Sequence, residues 1–295
     1  MKNKIVLIGI SCLIMYTSCD KIDGPYKEPP PPPAKKTVLI EKFTGHRCSG
    51  CPDGSREVEN LKNTFIDEDS GKSLLISVAI HPGHMTGFTG ITNTYYYDFT
   101  SPDGDVIAQD MNPNLLPQAT VNRSVNEGGG RCWGKTEWDT KIRELLYEEN
   151  GSPKLPNIDI QINNTLVEQE LTIATTINVL NDLEGEYRLC LFIMEDSIIA
   201  PQLDGADTKE EYVHNHIYRC AVNGVYGESL ETSLTSGLQI EQEHTITFDD
   251  SNNSDWNWNE IANCYIVGYV TGPFIGNENI AEIEQTHKQP VIGNE

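Results

Sequence analysis

The sequence predicts an α/β domain followed by an all-β domain. Three observations carry this. Apolar β-type runs alternate with helix-period segments as far as residue 147. Gly151-Ser152-Pro153 then breaks the chain, and beyond it strand-like runs recur with turn signals between them. The chain has 295 residues, of which 38% are hydrophobic, enough for about two domains with a sizeable core.

Residues 1–18 read as a lipoprotein signal peptide. Lys2 and Lys4 give a positive start, residues 5–16 an apolar run too short to span a bilayer comfortably, and Thr17-Ser18-Cys19 small residues leading into a cysteine. The pattern resembles a bacterial lipobox, which implies cleavage before Cys19 and acylation of Cys19, with the lipid bilayer as partner. An ordinary secretory signal is the alternative, and either takes the chain out of the cytoplasm. Residues 19–36 form the lipidated tether. Their five consecutive prolines, 29–33, favour stiff polyproline II over helix or sheet.

The first folded domain is expected over residues 37–152. Residues 37–43 are apolar and β-rich, and 52–65 have helical spacing with Val58, Leu61 and Phe65 on one face. Residues 73–80 read as a buried parallel strand, 94–99 and 106–111 as short helices, and 118–123 as a strand after Pro117. Residues 136–147 form an amphipathic helix with Trp138, Ile142, Leu145 and Leu146 on its apolar face.

This order gives Cys48-Ser49-Gly50-Cys51 its meaning. At a strand-to-helix turn Cys48 meets the helix N-terminus, where unpaired N–H groups favour an anion and so a thiolate. Arg47 and a protonated His46 add positive charge. Cys51 lies one turn inward, placed to resolve a mixed disulfide. A Cys-x-x-Cys after a strand and before a helix, with a proline about 65 residues on, reads as a thioredoxin-like domain. In such folds a cis-proline opens the strand beside the cysteines, and Pro117 occupies that place. Glu41 is the candidate for the buried acid behind the cysteines, although it lies seven residues before Cys48 and Lys42 holds the position six before. Arg47 stands where the fold usually has Trp. The catalytic candidates are thus Cys48, Cys51, Pro117 and Glu41. His81-x-x-His84 adds two imidazoles to the two thiols, a donor set for zinc or copper, but its spacing from the Cys pair fits no zinc finger and the stretch also reads as a turn.

Residues 153–295 are expected to form an acidic antiparallel β-sandwich, with strands at 158–162, 171–180, 187–194, 213–221, 243–248, 264–270 and 281–285. His214 and His216 alternate onto one strand face, a pattern shared by metal ligands and by ordinary packed histidines. Residues 249–260 run from Asp to Glu like a calcium loop but have Ser254 where the loop needs Gly. Cys132, Cys190, Cys220 and Cys264 leave the disulfide pairing open.

The net charge of −23 divides unevenly, −4 over residues 1–152 and −19 over 153–295. Such a chain repels phosphates and anionic membrane surfaces, which excludes nucleic-acid binding.

The whole resembles the outer-membrane protein 28 family, thioredoxin-like envelope lipoproteins of Gram-negative bacteria. The resemblance rests on Val38-Leu39-Ile40-Glu41-Lys42-Phe43-Thr44-Gly45, Cys48-x-x-Cys51-Pro52, Ala79-Ile80-His81, Pro117 with Asn122-Arg123, and Tyr212-Val213-His214-Asn215-His216 with Arg219. It implies an outer-membrane, lipid-anchored address and no particular chemistry. The leading expectation is thiol–disulfide exchange on envelope or surface client proteins, with no cofactor. The alternatives are a non-enzymatic binding or adhesion lipoprotein in which Cys48–Cys51 is a structural disulfide, and copper or zinc handling through Cys48, Cys51 and His81.

Overall fold

The computed structural model describes residues 33–230, 233–248, 258–274 and 280–292. The chain divides into two units, residues 1–33 and 34–295. The signal peptide, Cys19 and all of the tether before Pro33 lie outside the described residues, as do positions 249–257 of the acidic run.

In chain order the second unit contains β1 (Val38–Phe43), α1 (Cys51–Thr64), β2 (Leu75–Ile80), the single-turn α2 (Thr86–Thr89), α3 (Pro102–Met111), β3 (Gln118–Val121), the two-residue β4 (Trp133–Gly134) and α4 (Trp138–Leu146). Then follow β5 (Ile158–Val167), β6 (Glu170–Val179), β7 (Glu186–Glu195), β8 (Ile198–Asp204), β9 (Asp207–His214), β10 (Ile217–Ala221), β11 (Glu228–Ser229), β12 (Gln239–Thr247), β13 (Cys264–Phe274) and β14 (Ile283–Pro290). Two local expectations are corrected. Residues 94–99 are loop, the short helix lying earlier at α2. The strand expected over 213–221 is two strands, because His216 turns the chain at φ 63°.

Helix ends follow local chemistry. The α3 start has Ser101 accepting from the Gly104 amide (3.1 Å), Pro102 in the first turn, and Asp103 and Asp105 against the helix dipole. It stops at Asn112 in the left-handed region, φ 51°. In α1, Pro52 and Asp53 occupy the first turn and Lys62 the last.

One long sheet organises the fold, in the order β14-β13-β7-β10-β2-β1-β3-β4, with β11 also on β7. The β1–β2 and β2–β10 pairings are parallel and the others antiparallel. Four of these strands precede residue 153 and the rest follow it. The expected boundary at 152/153 therefore does not separate two compact units. Gly151-Ser152-Pro153 is a bend between α4 and β5, and the sheet closes over it where the Ala79 amide donates to the His216 carbonyl (2.6 Å).

Directly paired residues share a sheet face. Lys42 pairs with Ala79, Ala79 with Ile217, and Ile217 with Glu195. The β1 residues Val38 and Ile40 on this face pack on α1 and α4, with Trp138 and Ile142 buried among them. Ile193, Leu191 and Leu189 carry the same alternation down β7 and pack on a separate three-stranded sheet, β12-β6-β5. The opposite face buries Leu39, Phe43 and Phe192 against Ile107, Ala108 and Met111 of α3. The fold is thus β-rich, with antiparallel sheets layered at its C-terminal end. β5 and β6 alternate buried and exposed, as one-sided strands do. Gly268 of β13 lets the layers meet: a Cβ there would stand 2.8 Å from Ile162 Cδ1.

Candidate functional site

The cysteine loop leaves the C-terminal end of β1, an interior strand of the sheet, and turns into α1. The Cys48 amide donates to Gly45 (3.1 Å) and the Cys51 amide to Cys48 (3.2 Å), so the turn winds directly into the helix. Cys48 and Cys51 are joined as a disulfide. Leu116-Pro117 packs beside them as a cis peptide. The Leu116 carbonyl lies 3.6 Å from Cys48 Sγ. The Pro117 ring lies against α1 at Gly54, where a Cβ would stand 2.9 Å from Pro117 Cγ. The structure therefore brings three of the four catalytic candidates together.

Glu41 is on β1 nearby, but its carboxylate is already held. Arg123 donates from Nε (2.8 Å) and Nη2 (2.6 Å), and Thr120 from its hydroxyl (2.9 Å). All three residues are buried. Arg123 follows Asn122, whose side chain accepts from the Leu39 amide (2.7 Å) and donates to the Ile283 carbonyl (3.0 Å). The Asn122-Arg123 pair thus ties β1 and β3 to β14.

The cysteines are shut from solvent: Cys48 is 2% exposed and Cys51 1%. The β8–β9 hairpin closes over their loop. Leu203 donates its amide to His46 (2.8 Å) and Gly205 to Ser49 (2.9 Å). Gln202 Nε2 reaches the carbonyls of Gly45 and Cys48, both at 3.3 Å, and Arg56 of α1 pairs with Asp204 (3.2 Å). The strand over residues 198–204 is one that the sequence reading above does not include. The Ile198-Ile199-Ala200 run before the Asp204-Gly205 turn was the available signal.

The expected positive charge beside Cys48 is smaller than the sequence suggested. Burial holds the His46 pKa below the ordinary value, with its ring stacked on Tyr95 at 5.5 Å. Arg47 bonds the Thr86 and Gly90 carbonyls at the end of α2 (3.4 and 3.3 Å).

The histidines considered as ligands do not gather with the thiols. His81 is buried against Phe99 (4.7 Å), and His84 is bound to Asp105 (2.7 Å) at the surface. The His214 ring meets Phe99 at a tilt (centroids 4.3 Å apart), and burial pushes its pKa down to about 3. His216 pairs with Glu59 and Asp196, both at 3.0 Å. Among the described residues no three His, Cys, Asp or Glu side chains gather as metal ligands. Cys132, Cys190, Cys220 and Cys264 are free thiols. Burial pushes Cys132 up to about 12 and Cys190 up to about 11, so neither is a ready nucleophile. Among the described residues no helix is long and apolar enough to cross a membrane.

A β-rich fold with a disulfide loop at the start of a helix, roofed by a hairpin from the C-terminal half, defines the class of protein. The chain belongs to the family described as Outer membrane protein Omp28, whose model matches residues 106–291. That match starts beyond the Cys48–Cys51 loop. HBP35 of Porphyromonas gingivalis has a similar fold, with a TM-score of 0.64 and 17% identity over 88% of this chain and 77% of that one. A protein of Agrobacterium tumefaciens gives a TM-score of 0.51 at 12% identity, over 90% of this chain and 97% of its own. A domain of the outer membrane lipoprotein Omp28 from Porphyromonas gingivalis aligns with 48% of this chain and 93% of its own, at 14% identity and a TM-score of 0.33. No curated protein matches the chain in sequence.

Proposed function

We propose that the chain is an outer-membrane lipoprotein, acylated at Cys19, whose residues 37–152 supply a thioredoxin-like part of the shared fold for thiol–disulfide exchange on envelope or surface proteins. The observation that carries this reading is the Cys48–Cys51 pair at the start of α1 with the Leu116 carbonyl and the Pro117 ring against it. Membership of the Omp28 family supports the membrane address, and the prolines at 29–33 suit a stand-off tether.

In the reductive direction the Cys48 thiolate attacks a client disulfide, forming a mixed disulfide and expelling a client thiolate. The Cys51 thiolate then attacks Cys48 Sγ, re-forms the Cys48–Cys51 bond and releases the second client thiolate. Two electrons pass to the client, and an external dithiol restores the pair. Pro117 shapes the groove the client strand enters. Glu41 acts through structure, holding Arg123, rather than as a proton carrier. Because Cys48 is covered, the β8–β9 hairpin must withdraw before a client can reach it.

That burial favours a second reading, in which Cys48–Cys51 is a structural bridge in a binding lipoprotein. Single-cysteine variants of the full chain separate the two. Under the exchange reading, Cys51→Ser reacts with oxidised glutathione and holds it as a mixed disulfide that dithiothreitol releases, while Cys48→Ser traps far less. Equal inertness of both variants would leave the structural bridge.

A further inference from the structure

A second site lies on the α1 side of the sheet, away from the sulfur atoms. A cavity of about 430 Å³ sits between α1, the β1–β2–β10 row and the β8–β9 hairpin. Its floor contains Lys42, Ser77, Ala79 and His81. Strand alternation and the β1–β2 register place all four on one face. Its mouth is open between α1 and β9, where Arg56, Glu59, Asn60 and Asn215 reach solvent. Val58, Val78 and Ile217 give it apolar walls.

The floor is short of partners. Ser77 Oγ and His81 Nδ1 are buried and have no hydrogen-bond partner in the protein, their residues being 5% and 3% exposed. Lys42, 7% exposed, donates to the Ser55 hydroxyl and meets no carboxylate within ion-pair distance among the described residues. The carboxylate of Glu59 at the rim is engaged by Lys62 (3.1 Å) and His216 (3.0 Å). Buried ammonium groups and buried polar atoms are ordinarily paired. Here the residues that carry a cation, an unpartnered hydroxyl and an unpartnered imidazole nitrogen together line one cavity of small-ligand size.

We propose that this cavity binds a small monocarboxylic acid with an apolar body, its carboxylate on Lys42, Ser77 and His81. A carboxylate supplies what each floor group lacks: a counter-charge for Lys42 and acceptor oxygens for the Ser77 hydroxyl and an Nδ1-protonated His81. The walls suit an alkyl or aryl body. One buried cation matches a single negative charge, and the chain's net −23 repels more highly charged anions. The burial that lowers Lys42 to about 8 still leaves it protonated near neutral pH. The site uses no cysteine, and it shares only the β8–β9 hairpin, through Gln202, with the cover over the disulfide.

Calorimetric titration of the full chain at pH 7, in a buffer free of carboxylates, tests this with hexanoate and phenylacetate as probes. Saturable binding is expected for at least one acid. Its amide, hexanamide or phenylacetamide, is expected to bind at least about tenfold more weakly for want of the charge-assisted contacts. Lys42→Met should weaken the acid by a similar factor, and it removes an unpaired buried charge, so it should fold. Ser77→Ala, which keeps the cation, should weaken it severalfold. The proposal is overturned if neither acid gives saturable heat up to about 10 mM, if Lys42→Met binds as well as wild type, or if inorganic phosphate binds in preference to both acids.

Discussion

At the scale of single residues, β1 carries the most informative sequence. Val-Leu-Ile-Glu-Lys-Phe is buried on both faces, yet puts an acid on one and a base on the other. Its apolar, β-rich composition identifies the strand. It could not say which charge found a partner, because that depends on residues far along the chain. Glu41 met Arg123 and Lys42 met none. The two should respond oppositely to removal. Arg123→Met strands a buried carboxylate and is expected to cost about 3–5 kcal/mol, while the double Glu41→Met, Arg123→Met variant should recover most of it. Urea unfolding of the three forms checks this. Lys42→Met should instead stabilise. The folded-state pKa of about 8 lies below the ordinary lysine value of 10.5, so the folded state disfavours the proton. The penalty is full below about pH 8 and fades as the pH rises toward the unfolded value. At pH 7 the variant should gain on the order of 3 kcal/mol, from about 1.4 kcal/mol per pKa unit, and most of that gain should vanish by pH 10.

At the scale of elements, α1, β2, α3 and α4 were legible because their apolar spacing, prolines and acidic first turns are local signals. The β8–β9 hairpin was not. Its buried positions are satisfied by loop carbonyls some 150 residues earlier in the chain, and no local pattern encodes that pairing. The hairpin nevertheless controls the candidate site, since Gln202 bonds both ends of the Gly45–Cys48 turn. Gln202→Ala removes both bonds while the Cys48 and Cys51 amides still donate to the same carbonyls, a cost of about 0.5–1.5 kcal/mol per bond. If that cost falls on hairpin opening, dithiothreitol should reduce Cys48–Cys51 about tenfold faster in the variant. An unchanged rate would show that the hairpin does not gate the pair.

At the scale of the whole molecule, the composition break at 151–153 was legible but its meaning was not. Gly-Ser-Pro marks a bend in either case, and a sheet that runs across the bend is assembled by non-local strand pairing. Burial also ties the fold to pH. His46, His81 and His214 surround Phe99, and burial holds all three below their ordinary pKa. The unfolded chain therefore binds protons first as the pH drops below about 6.5. Stability should fall by up to about 1.4 kcal/mol per pH unit for each histidine, before carboxylates titrate. Denaturant midpoints between pH 7 and 5 measure this, and His81→Leu should flatten the slope. The central claim concerns the cysteines, and the reduction potential of Cys48–Cys51 in the full chain tests it most directly. Exchange chemistry predicts a value between about −120 and −270 mV. A value below about −300 mV, with no exchange on a model disulfide, would contradict it and make the pair a structural bridge.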